Sequence, residues 1–356
     1  MKPLSRMIPL VLLASILLNF PAHAWIRSPA TSFATLPDGA TPPEGLTVDS
    51  KGNVYVTTFG WPPSGESKAA GKLIEFDHSG KLVRQVTITD ASPHLLGLAF
   101  QPTSDKLLVL DFGAQKVLRV DPTSGSSSVF ATVPGTAGIN ALTFDSAGNV
   151  YVSDSFQGII WRIDMNGGVP TPWVTDPSLS TKGTPPFGAN GLAFNNKQTA
   201  LFVANTGNDT VVKIPVSTSG GSLVPGTPEV FVNSINGADG LIIDEQDNIW
   251  VCANQSDEIV VIDKTGRVIA KLGDFGGIDP HGAAIGLLFP ASLAFSGEFL
   301  YVTNLALDLT LFGLPQAVDS QWAAQVTKFT VARISARIPP ISGLHQGKDD
   351  SDKGGR

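Results

Sequence analysis

Cysteine is nearly missing from this chain: Cys252 is the only one, so no intrachain disulfide can form. It lies in the apolar run Ile249-Trp250-Val251-Cys252, where an inert buried thiol is expected in place of a nucleophile. Charge is also sparse, at 15% of residues, and no stripe of Lys or Arg occurs. That argues against nucleic acid as a partner. No segment sustains a 3.6-residue apolar period, which excludes a helical solenoid.

Long apolar runs are absent except at the start. Lys2 and Arg6 precede the apolar stretch Met7 to Phe20, and Ala22-His23-Ala24 forms an A-x-A cleavage site. Residues 1–24 therefore read as a signal peptide, with the mature chain beginning at Trp25. The stretch is short for a spanning helix, which needs about 20 apolar residues. No cysteine follows it, so a lipid anchor is not expected, and no second membrane segment is seen. Export through the secretory pathway to a periplasmic or extracellular compartment is the expectation. Loss of Lys2 and Arg6 leaves 22 basic against 31 acidic residues, a formal charge of −9.

Plentiful features are glycine (37) and proline (26), spread evenly, which suggests many short strands. Hydrophobic residues reach 42%, enough for a large core. Six repeats organise the chain. Glu44-Gly45-Leu46-Thr47-Val48-Asp49 leads through Gly52-Asn53 into Val54-Tyr55-Val56. Asn140-Ala141-Leu142-Thr143-Phe144-Asp145 leads through Gly148-Asn149 into Val150-Tyr151-Val152, and Asp239-Gly240-Leu241 leads into Ile249-Trp250-Val251. Further copies begin at Leu96-Gly97, Asn190-Gly191 and Ala291-Ser292. The anchors 45, 97, 141, 191, 240 and 292 lie 44 to 52 residues apart.

That period fits four-stranded blades, so the expected fold is all-β, a six-bladed β-propeller over residues 25–335. Third strands are expected at 72–77, 116–121, 159–164, 210–216, 258–263 and 325–331. The sixth blade lacks an outer strand, whereas Ser32-Phe33-Ala34-Thr35-Leu36 resembles Val129-Phe130-Ala131-Thr132-Val133. The N-terminal strand is thus expected to complete the last blade and close the ring. Residues 336–356 turn polar and read as a disordered tail.

The residue before each anchor carries the chemistry. The six are Glu44, Leu96, Asn140, Asn190, Asp239 and Ala291. In a propeller they form a ring at one depth of the central channel. Four bear side-chain oxygen, two of them carboxylates, and none is Lys or Arg. A hard divalent cation, calcium first, wants such a set. The absence of Cys and His argues against zinc as the native metal, with zinc, magnesium or manganese able to substitute.

With these motifs the chain resembles the gluconolactonase/regucalcin (senescence marker protein) family of six-bladed propellers, which also includes luciferin-regenerating enzymes. The resemblance covers about residues 32–335 and implies metal ligands at Glu44, Asn140, Asn190 and Asp239. It further implies a lactonase or phosphotriesterase activity with a small-molecule substrate, and Asp239 as general base or nucleophile. The family's Arg two residues before the third-blade Asn is Gly138 here, and the Asp after it is Ala141. The Pro before Asn-Gly and Asp-Gly is Ala189 and Ala238. Loss of the Arg removes a bidentate partner for polar or anionic substrates, so a less polar ester or lactone is expected.

Asn140, His94, His281 and Trp61 are candidate substrate-binding residues, with either histidine placed to shuttle protons. Two insertions, Phe59 to Ala70 and Leu305 to Ala324, are candidate lids. A non-catalytic binding propeller with a structural calcium ion is the alternative. A strictosidine-synthase-like condensing or lyase activity is the weakest reading, since it needs a catalytic Glu in place of a metal cluster. A protein partner is not specified by any motif.

Overall fold

The structure is a computed structural model that describes residues 27–102, 104, 106–314 and 319–338. The signal peptide read at 1–24 and most of the polar tail lie outside the described residues. No helix among the described residues is long and apolar enough to cross a membrane.

Each repeat folds into an antiparallel blade. The first runs Pro43–Val48, Val54–Thr58, Lys72–Phe76 and Leu82–Thr87 from the channel outward. The inner strands of the next five are Leu95–Phe100, Ile139–Phe144, Ala189–Phe194, Ala238–Ile243 and Pro290–Ser296. Blade four carries an extra hairpin strand, Ser222–Pro225, on the distal half of Thr210–Ser219.

Closure follows the expected route. Thr31–Thr35 pairs antiparallel with Thr330–Ser335 as the outer strand of blade six. The third strand of that blade lies five residues further on than the 325–331 expected from sequence. The reason is packing: Val326 and Phe329 enter the layer between blades six and one ahead of the first ladder pair, Thr35 with Thr330.

The core is a set of layers between neighbouring blades rather than one central mass. Second strands such as Val54–Thr58 and Ile249–Ala253 are buried along their whole length, because each face meets a different neighbour. Leu73, Leu95, Leu107 and Val109 fill the layer between blades one and two; Val211, Leu241, Val251 and Val260 fill that between four and five. The repeated Asp of the first hairpin turn is structural. Asp244 accepts from the backbone N–H groups of Gln246 and Asn248, from Asn248 Nδ2 and from Trp250 Nε1. Asp49 and Asp145 do the same with Tyr55 and Tyr151.

One irregularity recurs in all six blades and positions the site. Pairing of inner and second strands slips between Pro43 and Leu46, which face Thr58 and Val56. The same slip occurs at Leu95/Leu98, Ile139/Leu142, Ala189/Leu192, Ala238/Leu241 and Pro290/Leu293. Each is a β-bulge with one extra residue on the inner strand. The bulged pair is the ring residue and its anchor: Glu44-Gly45, Leu96-Gly97, Asn140-Ala141, Asn190-Gly191, Asp239-Gly240 and Ala291-Ser292. The bulge re-aims the ring side chain. Glycine follows because the inner strands converge: a Cβ on Gly45 would stand 2.2 Å from Leu96 O, and one on Gly240 2.3 Å from Ala291 O.

Candidate functional site

Glu44, Asn140, Asn190 and Asp239 all line one cavity at the mouth of the channel, together with Leu96. The space open to a water-sized sphere is about 50 Å³, room for an ion and a few waters. All four polar ring residues are buried, as are Leu96 and Ala291.

A second ring stands beside the first, and sequence reasoning missed it. It consists of the residues just after the second strands: Phe59, Phe112, Ser155, Thr206, Asn254 and Leu305. Asn190 Nδ2 donates to Thr206 Oγ1 at 3.0 Å, and Asn140 Nδ2 donates to Ser155 Oγ at 3.5 Å. The two hydroxyls in turn donate to the carbonyls of Ala238 and Ala189 in the next blades, both at 2.7 Å. Asn254 Nδ2 donates to Asp239 Oδ2 at 2.8 Å. The signal was present in the repeats, since these positions align five residues after the start of each Val-Tyr-Val-type strand.

The two rings divide the cavity. Blades three to five supply the amides, hydroxyls and Asp239. Blades six, one and two supply Glu44 and the apolar Leu305, Phe59, Leu96 and Phe112, joined by Phe289, Leu307 and Leu309. Phe289 holds φ +46°, rare for a bulky residue, and its N–H donates to Asp257 Oδ1 at 2.7 Å. Such strain is held only where the surroundings enforce it.

Electrostatics single out the carboxylates. Burial, and then the charge of Asp239, push the Glu44 carboxyl well above the usual carboxylate range. Burial pushes Asp239 up to about 7, against the hydrogen bond from Asn254 that favours its charged form. Glu44 Oε2, Asp239 Oδ1 and Asn254 Oδ1 are buried without a hydrogen-bond partner among the described residues. Among the described residues no Lys, Arg or His lines the cavity. Two unpaired buried carboxylates call for a proton or a cation, because an uncompensated buried charge costs several kcal/mol.

Among the described residues no group of three or more His, Cys, Asp or Glu is arranged to hold a metal. The donor set is two carboxylates and neutral amide oxygens. It suits a hard cation such as calcium, with water completing the shell, and not a thiolate- or imidazole-seeking ion.

The remaining candidates lie around this centre. His94 Nε2 is 3.1 Å from Glu66 Oε1, its ring packs 5.2 Å from Phe59 and stacks on Trp61 at 6.0 Å. Trp61 lies 4.8 Å from Phe312, so the two insertions meet on the cavity side. His281 is exposed in the turn held by Asp279 and is not part of the cavity lining. A second opening of about 430 Å³, lined by the far ends of the inner strands, has no acidic, basic or histidine side chain among its described lining residues. It offers no comparable chemistry.

A family model described as SMP-30/Gluconolactonase/LRE-like region matches residues 174–273. Lactonase drp35 of Staphylococcus epidermidis is 28% identical over 140 residues, which are 38% of this chain. The chain spans 41% of the length of that relative. A luciferin-regenerating enzyme superposes with a TM-score of 0.62 at 16% identity, covering 86% of this chain and 95% of that one. Regucalcin of Agrobacterium tumefaciens, described as a calcium-binding protein, superposes with a TM-score of 0.57 at 18% identity, covering 87% and 98%. At these identities the likeness to solved structures establishes the fold. The resemblance read from the repeats thus holds: the chain is similar to the SMP-30/gluconolactonase/LRE-like family through residues 174–273, where blades four and five carry Asn190 and Asp239.

Proposed function

We propose that this chain is an exported hydrolase of lactones or related esters that works with one divalent cation, calcium first, at the channel mouth. The observation that carries this reading is the pair of buried carboxylates, Glu44 and Asp239, with Glu44 Oε2, Asp239 Oδ1 and Asn254 Oδ1 unpartnered beside an apolar wall. The similarity to a lactonase supports it.

Glu44, Asn140, Asn190 and Asp239 would hold the cation, with Asn254 a further oxygen donor. When bound, it supplies electrostatic polarisation of the scissile carbonyl oxygen. The chain supplies the rest. Thr206 and Ser155 fix the Asn190 and Asn140 amides by taking their Nδ2 hydrogens, so Oδ1 is the atom left for the cavity. Asn254 holds Asp239 through Oδ2 and leaves Oδ1 to take a proton from the attacking water and return it to the departing ester oxygen as the acyl–oxygen bond breaks. Phe59, Leu96, Phe289 and Leu305 exclude bulk water and accept an apolar part of the substrate.

The test uses the chain from Trp25, assayed on lactones, aryl esters and a phosphotriester with calcium or chelator, beside Asp239→Asn and Glu44→Gln. Chelator-sensitive turnover lost in both variants is expected. Absence of turnover on every class, with calcium still raising the melting temperature, would establish a structural ion in a binding propeller instead. N-terminal sequencing of the protein recovered outside the cytoplasm checks export: Trp25 is the expected first residue.

A further inference from the structure

We propose that Gly138 and Phe156 together set substrate specificity: the missing side chain at 138 lets the Phe156 ring complete an aromatic subsite for an alkyl or aryl substituent on the lactone or ester. This rests on the hydrolase reading above and names its substrate class.

Gly138 lies two residues before Asn140 at the start of blade three. Its φ is not in the left-handed region, so space and not backbone conformation calls for glycine. A Cβ there would stand 2.7 Å from Cγ and Cδ2 of Phe156, inside the closest approach that real side chains make. The ring therefore occupies the volume that any other residue at 138 would fill.

The arrangement is fixed from both sides. Asp154 Oδ1 accepts from Gly138 N at 2.9 Å and from Phe156 N at 3.1 Å, and Ser155 N donates to Gly138 O at 2.8 Å. Asp154 is fully buried, so this clamp is part of the blade. Phe156 then packs 5.6 Å from both Phe112 and Phe187, which are 6.4 Å from each other. Phe112 and Phe187 line the cavity that holds Glu44 and Asp239. Phe156 itself stays 48% exposed. A half-exposed ring packed on two rings that line the cavity gains most when a ligand covers it. Among the described residues that line the adjoining cavity there is no Lys, Arg or His to partner an anionic substituent.

The experiment compares δ-decalactone with δ-valerolactone, which differ only by a pentyl chain, in wild type, Phe156→Ala, Phe156→Leu and Gly138→Ala. The ratio of kcat/KM for the two lactones is expected to fall about tenfold in Phe156→Ala, through KM, and to recover largely in Phe156→Leu. Gly138→Ala, whose methyl displaces the ring, lowers the ratio in the same direction. An unchanged ratio in Phe156→Ala overturns the proposal.

If wild type hydrolyses neither lactone, the ratio cannot be read, and the hydrolase reading fails separately only when the aryl esters and the phosphotriester are also left intact. The subsite is then judged by calorimetric binding of 3-pentylcyclohexanone against cyclohexanone. Preference for the pentyl ketone that is lost in Phe156→Ala supports the subsite. No binding, or a preference that survives the substitution, overturns it.

Discussion

Asn254 donates through Nδ2 to Asp239 Oδ2 at 2.8 Å, which leaves Asp239 Oδ1 and Asn254 Oδ1 both without a partner. One amide thus stabilises the charged form of Asp239 and adds a neutral oxygen to the same cavity. Asn254→Leu removes both. The lost hydrogen bond raises the Asp239 carboxyl further, by about one pKa unit for a bond worth ~1.4 kcal/mol to the charged form. Calcium affinity is expected to weaken about tenfold at neutral pH and to recover in part at pH 9, where the carboxyl is ionised. Calorimetric titration across pH 5–9 checks this, and affinity unchanged at every pH would remove Asn254 from the site.

The raised carboxyls make cation-free stability depend on pH in a defined direction. Burial pushes the Asp239 carboxyl up to about 7 in the folded protein, against the ordinary carboxylate range when unfolded. Between those values the folded state binds more protons, so stability is full at low pH and is lost as pH rises toward 7. Glu44, shifted the same way, adds to the loss. Melting temperature in chelator is expected to be lower at pH 8 than at pH 5 through this pair. Calcium is expected to raise it more at pH 8, because the cation binds the ionised form. For large domains about 1 kcal/mol moves Tm by ~2–4 °C, a shift that calorimetry resolves.

Neutral substitutions at the same positions have opposite effects in the two conditions. Glu44→Gln and Asp239→Asn each remove one buried charge and keep the shape of the side chain. In chelator at pH 8 both are expected to melt above wild type, since the uncompensated charge is gone. In calcium both lose the cation-dependent rise. Variants that melt below wild type in chelator would show that the carboxylates contribute structural contacts in place of repulsion.

Cys252 lies beneath this centre. It is fully buried, and burial first, then the charges of Asp239 and Glu44, push its thiol well above the usual range. A thiolate there is strongly disfavoured. The native protein is therefore expected not to react with Ellman's reagent at pH 8 and to release one equivalent on unfolding in guanidinium. Rapid native labelling would require an open path into blade five.

Much of this was visible in the amino-acid order, for a physical reason. A propeller repeats one register, so aligning Glu44-Gly45 with Asn190-Gly191 and Asp239-Gly240 places residues from distant parts of the chain at one depth. Strand closure by residues 31–35 was legible through the likeness of Phe33-Ala34 to Phe130-Ala131. The β-bulges were not, because a one-residue slip leaves the apolar pattern of the inner strands readable either way. The polar half of the second ring was missed because Ser155, Thr206 and Asn254 look like ordinary turn residues; only their hydrogen bonds to Asn140, Asn190 and Asp239 reveal the role. The last strand was placed early because Val326 and Phe329 supply apolar spacing without pairing. The ring of Phe156 over Gly138 depends on a loop path that no periodicity encodes.

The glycines that follow the ring residues give the sharpest test of the packed channel. Thr57 Oγ1 accepts from Gly45 N at 3.0 Å and donates to Leu96 O at 2.6 Å, stitching blade one to blade two. A Cβ at Gly45 would meet that carbonyl at 2.2 Å and the hydroxyl at 2.6 Å. Neither is the end of a flexible side chain, so the inner strands must part. At Gly97 the nearest atom is Asn140 O at 2.8 Å, a milder conflict, and blade three already tolerates Ala141 at the equivalent place. Gly45→Ala is expected to cost about 3 kcal/mol and Gly97→Ala about 1 kcal/mol. Urea midpoints at constant m-value measure both. The order matters more than the size: a Gly97→Ala midpoint below that of Gly45→Ala would mean that inner-strand convergence does not govern this ring.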